Sequence, residues 1–381
     1  MELINARIFD GEKIIEKGYV RFAGEKITDV GEMRSYKADG GEVLDLTGKT
    51  VFPGLIDAHS HLGMWNDSVG FEGDDGNEDT DPLTPQLLGS DGVKIFDRCF
   101  GEALSGGVTT VVTGPGSANP AGGFFAAFQT GGDYKKRLYK DRVGLKIAFG
   151  ENPKTCYKGK DRGPVTRMAT AAYIRDLLNK TKRYMADCER AKKEQDFDAP
   201  DYDAKLEAAS LLLSGKIPAF AHAHIAEDIM TAVKISKEFG FRLVVVHGTG
   251  GAKIADYLAA EKVPVFVGPI LSDRCKPELS ELSPATAGIL DRAGVKIALI
   301  NDHPVIPQQY LLLSAAVSVK EGLPRLSAYK AVTSNPAELC GLTKKGRLKK
   351  GFDADIAVFD GDPLDVFTNC ESAYRMGEKV R

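Results

Sequence analysis

Apolar and polar positions alternate from the first residues of the chain, in short segments broken by glycine. The segments are Ile4-Asn-Ala-Arg-Ile-Phe-Asp-Gly11, a run over 18–31 and another over 41–54. A period of two places alternate side chains on one buried face, and the glycines supply tight turns. Residues 1–50 therefore predict antiparallel strands. The stretch 351–361 repeats the pattern after a helical segment around 337–341. Chain termini often lie close together, so both ends are expected to build one small β-domain.

Between the ends the pattern changes to apolar runs of about five residues, each followed by a helical period, as in the βα units of a parallel sheet. Eight such runs stand out, at 54–58, 109–113, 124–130, 145–149, 219–221, 243–246, 265–267 and 297–300. The expected fold is α/β, a (β/α)8 TIM-like barrel over 53–342 with the β-domain built from 1–52 and 343–381. In such a barrel all strand C-termini open onto one face, where active sites lie. Two regions leave the repeat. Residues 66–81 are acidic and glycine-rich and follow the first strand end, which suits either a lid or a plain solvated loop. Long helical stretches over 164–195 and 202–213 form an insertion between the fourth and fifth strands and carry no chemistry.

Bulk properties narrow the function classes. A length of 381 residues accommodates a barrel of about 250 residues and a smaller domain. With 43% hydrophobic and 27% charged residues the composition is that of an ordinary globular protein. Net charge is −3, and no basic run interleaved with aromatics appears, which argues against nucleic acid as a partner. The N-terminus lacks the apolar core of a secretory signal, and no stretch nears the roughly 20 apolar residues of a membrane span. The six cysteines are scattered with none in CxxC spacing, so a reduced, cytoplasmic protein is expected. Its expected partners are a small-molecule substrate and further copies of the chain in a homo-oligomer, with no membrane.

The chemistry is carried by histidine. The chain has six: His59, His61, His222, His224, His247 and His303, each at the end of a predicted strand. One isolated histidine is usually structural, but six converging on one barrel face suggest metal ligation. Asp57-Ala-His59-Ser-His61 puts two imidazoles on the same side of an extended segment, which supplies half of a zinc-type ligand set. His222 and His224, His247, and Asp302 with His303 follow at later strand ends in the order a barrel presents them.

The run Val51-Phe-Pro-Gly-Leu-Ile-Asp-Ala-His-Ser-His61, then Gly107-Val-Thr-Thr110, the later histidines and Asp302 resemble the amidohydrolase superfamily, specifically its imidazolonepropionase-, prolidase- and isoaspartyl-dipeptidase-like branch. The ending Lys349-Lys-Gly-Phe-Asp-Ala-Asp-Ile-Ala-Val358 resembles that superfamily's return to a small β-sandwich. The resemblance implies one or two divalent ions, usually zinc, activating a water. It assigns His59 and His61 to the more buried ion and His222 and His247 to the second. Asp302 would bind metal and shuttle the proton as general acid and base. Lys146, in Gly144-Leu-Lys-Ile-Ala148, is similar to the carboxylated lysine that bridges two ions in isoaspartyl dipeptidases. An ordinary salt-bridged lysine is the bland alternative, and Glu151, just beyond the same strand, is the rival bridge or catalytic acid. His224 shares a strand face with His222, and strand-end alignment favours His222 as ligand, leaving His224 to substrate or catalysis.

Substrate contacts are expected from several places. The loop 114–120 can offer backbone N–H groups to an anion. Arg274 and Lys276 follow the seventh strand, and Asn152, Lys154, Tyr157 and Arg167 follow the fourth, where a cation suits a substrate carboxylate. Arg274, nearest a strand end, is the best single candidate. His303 either orients Asp302, touches substrate or makes a structural hydrogen bond. The expected reaction is hydrolysis of an amide or cyclic-amide C–N bond. The alternatives are a mononuclear deaminase or imidazolone-type hydrolase, which needs no Lys146, and a non-catalytic scaffold, disfavoured because every ligand position is filled.

Overall fold

The computed structural model describes residues 1–65 and 70–381. Strands β1 (Glu2–Phe9), β2 (Ile14–Ala23), β3 (Lys26–Glu32), β4 (Val43–Asp45) and β5 (Thr50–Pro53) open the chain. β6 (Leu55–Ser60), β7 (Val108–Thr113), β8 (Ala121–Gln129), β9 (Leu138–Ala148), β10 (Ala219–Ala223), β11 (Leu243–His247), β12 (Val265–Val267) and β13 (Ile297–Leu299) follow. The chain closes with β14 (Ile356–Phe359), β15 (Cys370–Arg375) and β16 (Glu378–Lys379).

Strands from both chain ends share one sheet, ordered β16-β15-β14-β5-β1-β2-β3 with β4 beside β1. β5 is the join, parallel to β1 and antiparallel to β14. That continuous ladder makes one sheet where a sandwich of two facing sheets was expected. The sheet curls until Ile27 N–H donates to the Phe352 carbonyl and Ala354 N–H to that of Glu25, both at 2.9 Å. Leu3, Ile8, Val20, Val51, Ile356 and Val358 form its buried apolar cluster.

The second sheet is a nearly closed barrel of eight strands, β6 to β13 in sequence order. Every predicted strand run falls on one of them. The barrel departs from strict βα alternation at β8, which runs antiparallel to both β7 and β9. The cause lies in the connections: 114–120 and 130–137 are each shorter than the roughly dozen residues a parallel crossover requires, so the chain can only turn back. Elsewhere helices make the crossovers, among them Ala226–Phe239 between β10 and β11 and Thr286–Arg292 between β12 and β13. Among the described residues no helix is long and apolar enough to cross a membrane.

Closure between β13 and β6 is made by side chains and loop backbone. The buried Asp57 carboxylate accepts from His59 N–H at 3.0 Å and, across the gap, from Asn301 N–H at 2.9 Å. It also accepts from the Gln308 amide. His61 N–H donates to the His303 carbonyl at 2.9 Å.

Inside the barrel Phe125, Phe220 and Phe266 pack edge to face, with ring centroids 5.7 and 5.3 Å apart, and form a dry floor beneath the strand ends. Phe220 is fully buried at the centre of this layer. Phe220→Ala is expected to lower unfolding free energy by about 3–5 kcal/mol, the usual cost of emptying an aromatic core site. Urea melts check this, and a loss under about 1 kcal/mol would mean the floor is not closely packed.

Candidate metal centre

Backbone geometry at the strand ends brings the histidines inward. In β11, Val244 and Val246 face the barrel interior while Val245 packs outward. Continued alternation would send residue 247 outward with Val245. His247 instead has φ of 75°, which breaks the alternation and turns the imidazole towards His222 and His224. Asp302, just past β13, has φ of 54°. Left-handed backbone at non-glycine residues costs on the order of 1 kcal/mol or more each and clusters at functional sites.

Two donor groups face one pocket. His59, His61 and Asp302 form the first, and His222, His224 and His247 the second; within each, the ligand atoms lie within 4.8 Å of one another. Asp302 Oδ1 is 3.5 Å from His59 Nε2 and 3.3 Å from His61 Nε2. Rings of the second group pack closely, His224 stacked on His247 at 4.4 Å and His222 edge-on to both. Lys146 is fully buried beside His59, its Nζ 3.3 Å from His59 Nε2. Among the described residues no carboxylate lies within ion-pair distance of it. His59 stacks on Phe125 at 4.7 Å, so the aromatic floor carries the first group directly.

Second partners fix the rings. His61 Nδ1 meets the Gly114 carbonyl at 2.7 Å and His247 Nδ1 that of Gly268 at 2.8 Å. A carbonyl can only accept, so each Nδ1 carries a proton and each Nε2 is turned towards the pocket. His222 Nδ1 pairs with Ser117 Oγ at 2.9 Å and His224 Nδ1 with Thr249 Oγ1 at 2.7 Å. These outer contacts orient ligands in metal sites generally.

Burial governs protonation here. It pushes His59, His222 and His224 well below the ordinary imidazole value and His247 down to about 4, so these rings are neutral at pH 7. It lowers Lys146 to about 7 and raises Asp57 to about 7. At Asp302 burial pushes upward, but His247, His61 and Lys146 outweigh it and hold the carboxyl well below the usual range. Asp302 Oδ1 and His222 Nε2 are buried without a hydrogen-bond partner. Neutral imidazoles plus a carboxylate are the donors a zinc-type divalent ion takes, so the residues fit one.

Volume alone would not single out this pocket. It measures about 410 Å³, against about 600 Å³ for a cleft beside Pro218 and Lys262 and about 700 Å³ for the cleft that adjoins Glu278. Its wall includes Trp65, Asn77, Ser117, Asn152 and Lys276. Several expected contacts fall elsewhere. Arg274 is exposed and donates to the Leu282 carbonyl at 2.7 Å; the cation that enters the pocket is Lys276, because the loop after β12 turns between them. Glu151, Lys154 and Arg167 line the adjoining cleft, where Arg167 is paired with Asp228 at 3.0 Å. Glu151 begins the helix Glu151–Tyr157, which carries it past the strand end and away from both donor groups. Tyr157 is buried against Asn119. The loop 114–120 spends Gly116 N–H on the Gly76 carbonyl and Ala118 N–H on Asn77 Oδ1, so neither is open to an anion. His303 is buried behind Asp302, its carbonyl on His61.

Of the acidic loop, residues 66–69 lie outside the described residues. Its later part forms pocket wall through Asn77 and is tied across to Lys160 by Asp79 at 2.6 Å and to Lys205 by Asp81 at 3.0 Å. Reasoning from sequence missed Asp57, whose signal is an acid two residues before the first histidine. Glu278 has no comparable signal, because it stands in an irregular loop beyond the seventh predicted strand.

The Amidohydrolase family profile matches residues 252–378. The chain is 42% identical to a crystallographic amidohydrolase from Thermotoga maritima MSB8, with a TM-score of 0.95 over 100% of this chain and 99% of that one. It is 29% identical to Amidohydrolase tasK of Hapsidospora irregularis over 93% of its own length, but spans only 38% of the length of that relative. A prolidase solved with n-methylphosphonate-L-proline shares the fold at a TM-score of 0.63 and 19% identity, covering 100% of this chain and 99% of that one.

Proposed function

Because this chain belongs to the amidohydrolase superfamily, we propose that it is a metal-dependent hydrolase of an amide or cyclic-amide C–N bond in a small polar substrate. The observation that carries the reading is the inward set of donors, His59, His61 and Asp302 facing His222, His224 and His247 across one pocket. A divalent ion there, zinc by the donor chemistry, supplies an acidified water near neutral pH and a Lewis acid for the carbonyl.

The chain's own groups do the rest. Asp302 accepts the proton of the attacking water and returns it to the leaving nitrogen, which its position between His59 and His61 permits. The Phe125, Phe220 and Phe266 floor excludes bulk water and strengthens each electrostatic contact above it. Asn77, Asn152 and Lys276 offer hydrogen bonds around a space suited to a small molecule. Lys146 is the residue to carry a bridging anion. Its neutral amine would add CO₂ and lose a proton to give the carbamate, and burial without a carboxylate partner favours that neutral form.

Metal analysis with a screen of N-acyl amino acids, dipeptides and cyclic amides tests the reading. Bound divalent metal and turnover of one of these classes are expected; a metal-free protein inactive on all of them after reconstitution would refute it. Lys146→Ala should lose activity that acetate or propionate partly restores by filling the bridging position. Full activity in Lys146→Ala, or an unmodified amine in a metal-loaded crystal, would remove the carbamate.

A further inference from the structure

One carboxylate touches the second histidine group and has no part in the reading above. Glu278 sits in the short turn Pro277–Leu279 of the loop after β12, and its side chain is 1% exposed. Its Oε1 lies 3.7 Å from both His222 Nε2 and His224 Nε2. Its other oxygen, Oε2, accepts from Glu151 N–H at 2.9 Å, which fixes the carboxylate with Oε1 towards the rings.

We propose that Glu278 is a ligand of the divalent ion held by His222 and His224. The inference rests on the metal-dependent reading and extends it. Donors around a tetrahedral ion with bonds of about 2.0–2.1 Å stand roughly 3.4 Å apart, close to the 3.7 Å observed. Charge supports the same assignment. The first group includes the carboxylate of Asp302, whereas the second offers three imidazoles and no acidic side chain, so a dication there would gain a carboxylate donor from Glu278. Lys276 Nζ, 2.6 Å from Oε1 and 2.7 Å from Asn152 Oδ1, flanks the carboxylate and limits its movement.

The competing role for Glu278 is counter-ion to Lys276 alone, and two substitutions separate them. Zinc binding to stripped wild-type, Glu278→Gln and Lys276→Met proteins is measured by titration and by elemental analysis after dialysis. As a ligand, Glu278 makes Glu278→Gln lose affinity for one ion by more than the roughly 10–100-fold that an outer partner is worth, while Lys276→Met keeps the wild-type metal content. Equal zinc affinity in Glu278→Gln and wild type overturns the proposal, as do equal losses in the two variants. Wild-type protein that takes up no zinc fails the metal-dependent reading itself, an outcome distinct from a variant that matches wild type. Should Glu278→Gln not fold, cobalt-loaded wild-type crystals decide. A Glu278 oxygen about 2.0–2.2 Å from the ion supports the assignment, and one outside bonding distance overturns it.

Discussion

Replacing Asp302 with asparagine is expected to lower kcat by about 10²–10⁴-fold, the range for loss of a general acid–base group. The substitution keeps the shape of the side chain and removes the proton acceptor. Asp302 Oδ1 is 3.3 Å from His61 Nε2 and lies in the pocket wall, so in the proposed mechanism its carboxylate would be within reach of the reacting water. Burial would ordinarily make such a carboxyl a poor anion, but its basic neighbours hold it well below the usual carboxylate range, so in the proposed mechanism it would be an anion able to take a proton. Asparagine also weakens any metal bond at this position, and metal content therefore has to be measured on the same sample. A variant that retains metal and near-normal kcat on a confirmed substrate would show that the proton travels by another group, with His224 the next candidate.

Loss of a single histidine from either donor group is expected to act more completely. His59→Ala and His247→Ala should each release about one bound ion per chain and bring turnover to background, because a zinc-type site depends on every one of its three or four protein ligands. The two variants probe different halves of the pocket. His59 lies between Phe125 and Lys146, and His247 lies under His222 and His224. Circular dichroism should remain close to wild type, since β11 is paired on both sides, by β10 and β12, and β6 is held along one side by β7. Unchanged metal content in both variants would refute the donor assignment outright.

Much of this arrangement could be read from residue pattern. The eight barrel strands each announced themselves as apolar runs, and the donors were recognisable because histidine is scarce in this chain and every copy ends a strand. What resisted reading was direction. β8 has the same composition whether it runs up or down, and only the length of 114–120 records that the chain turns back there. The substrate cations failed for a related reason. Sequence places Arg274 and Lys276 two residues apart, but the path of an irregular loop decides which one enters the pocket, and neither periodicity nor propensity encodes that path. Glu151 and Glu278 exchanged importance in the same way. Glu151 is adjacent to β9 in sequence yet leaves on a helix, whereas Glu278 is brought to His222 from another strand's loop.

The seam between β6 and β13 gives the barrel an unusual kind of latch. No backbone ladder zips this junction among the described residues; the Asp57 carboxylate and the His61 to His303 hydrogen bond span it. The first donor group straddles the same line, with His59 and His61 on one side and Asp302 on the other. An ion held by those three residues would therefore be a rivet through the barrel wall as well as the source of the proposed chemistry. Chelation should make the amides of His61 and Asn301 exchange faster with deuterium than the rest of the barrel. At metal concentrations 100-fold above Kd, the loaded protein should gain about 2.7 kcal/mol over the stripped one. The catalytic ion and the last fastening of the fold would then be lost together, so a cell short of metal would hold an opened barrel as well as an idle enzyme.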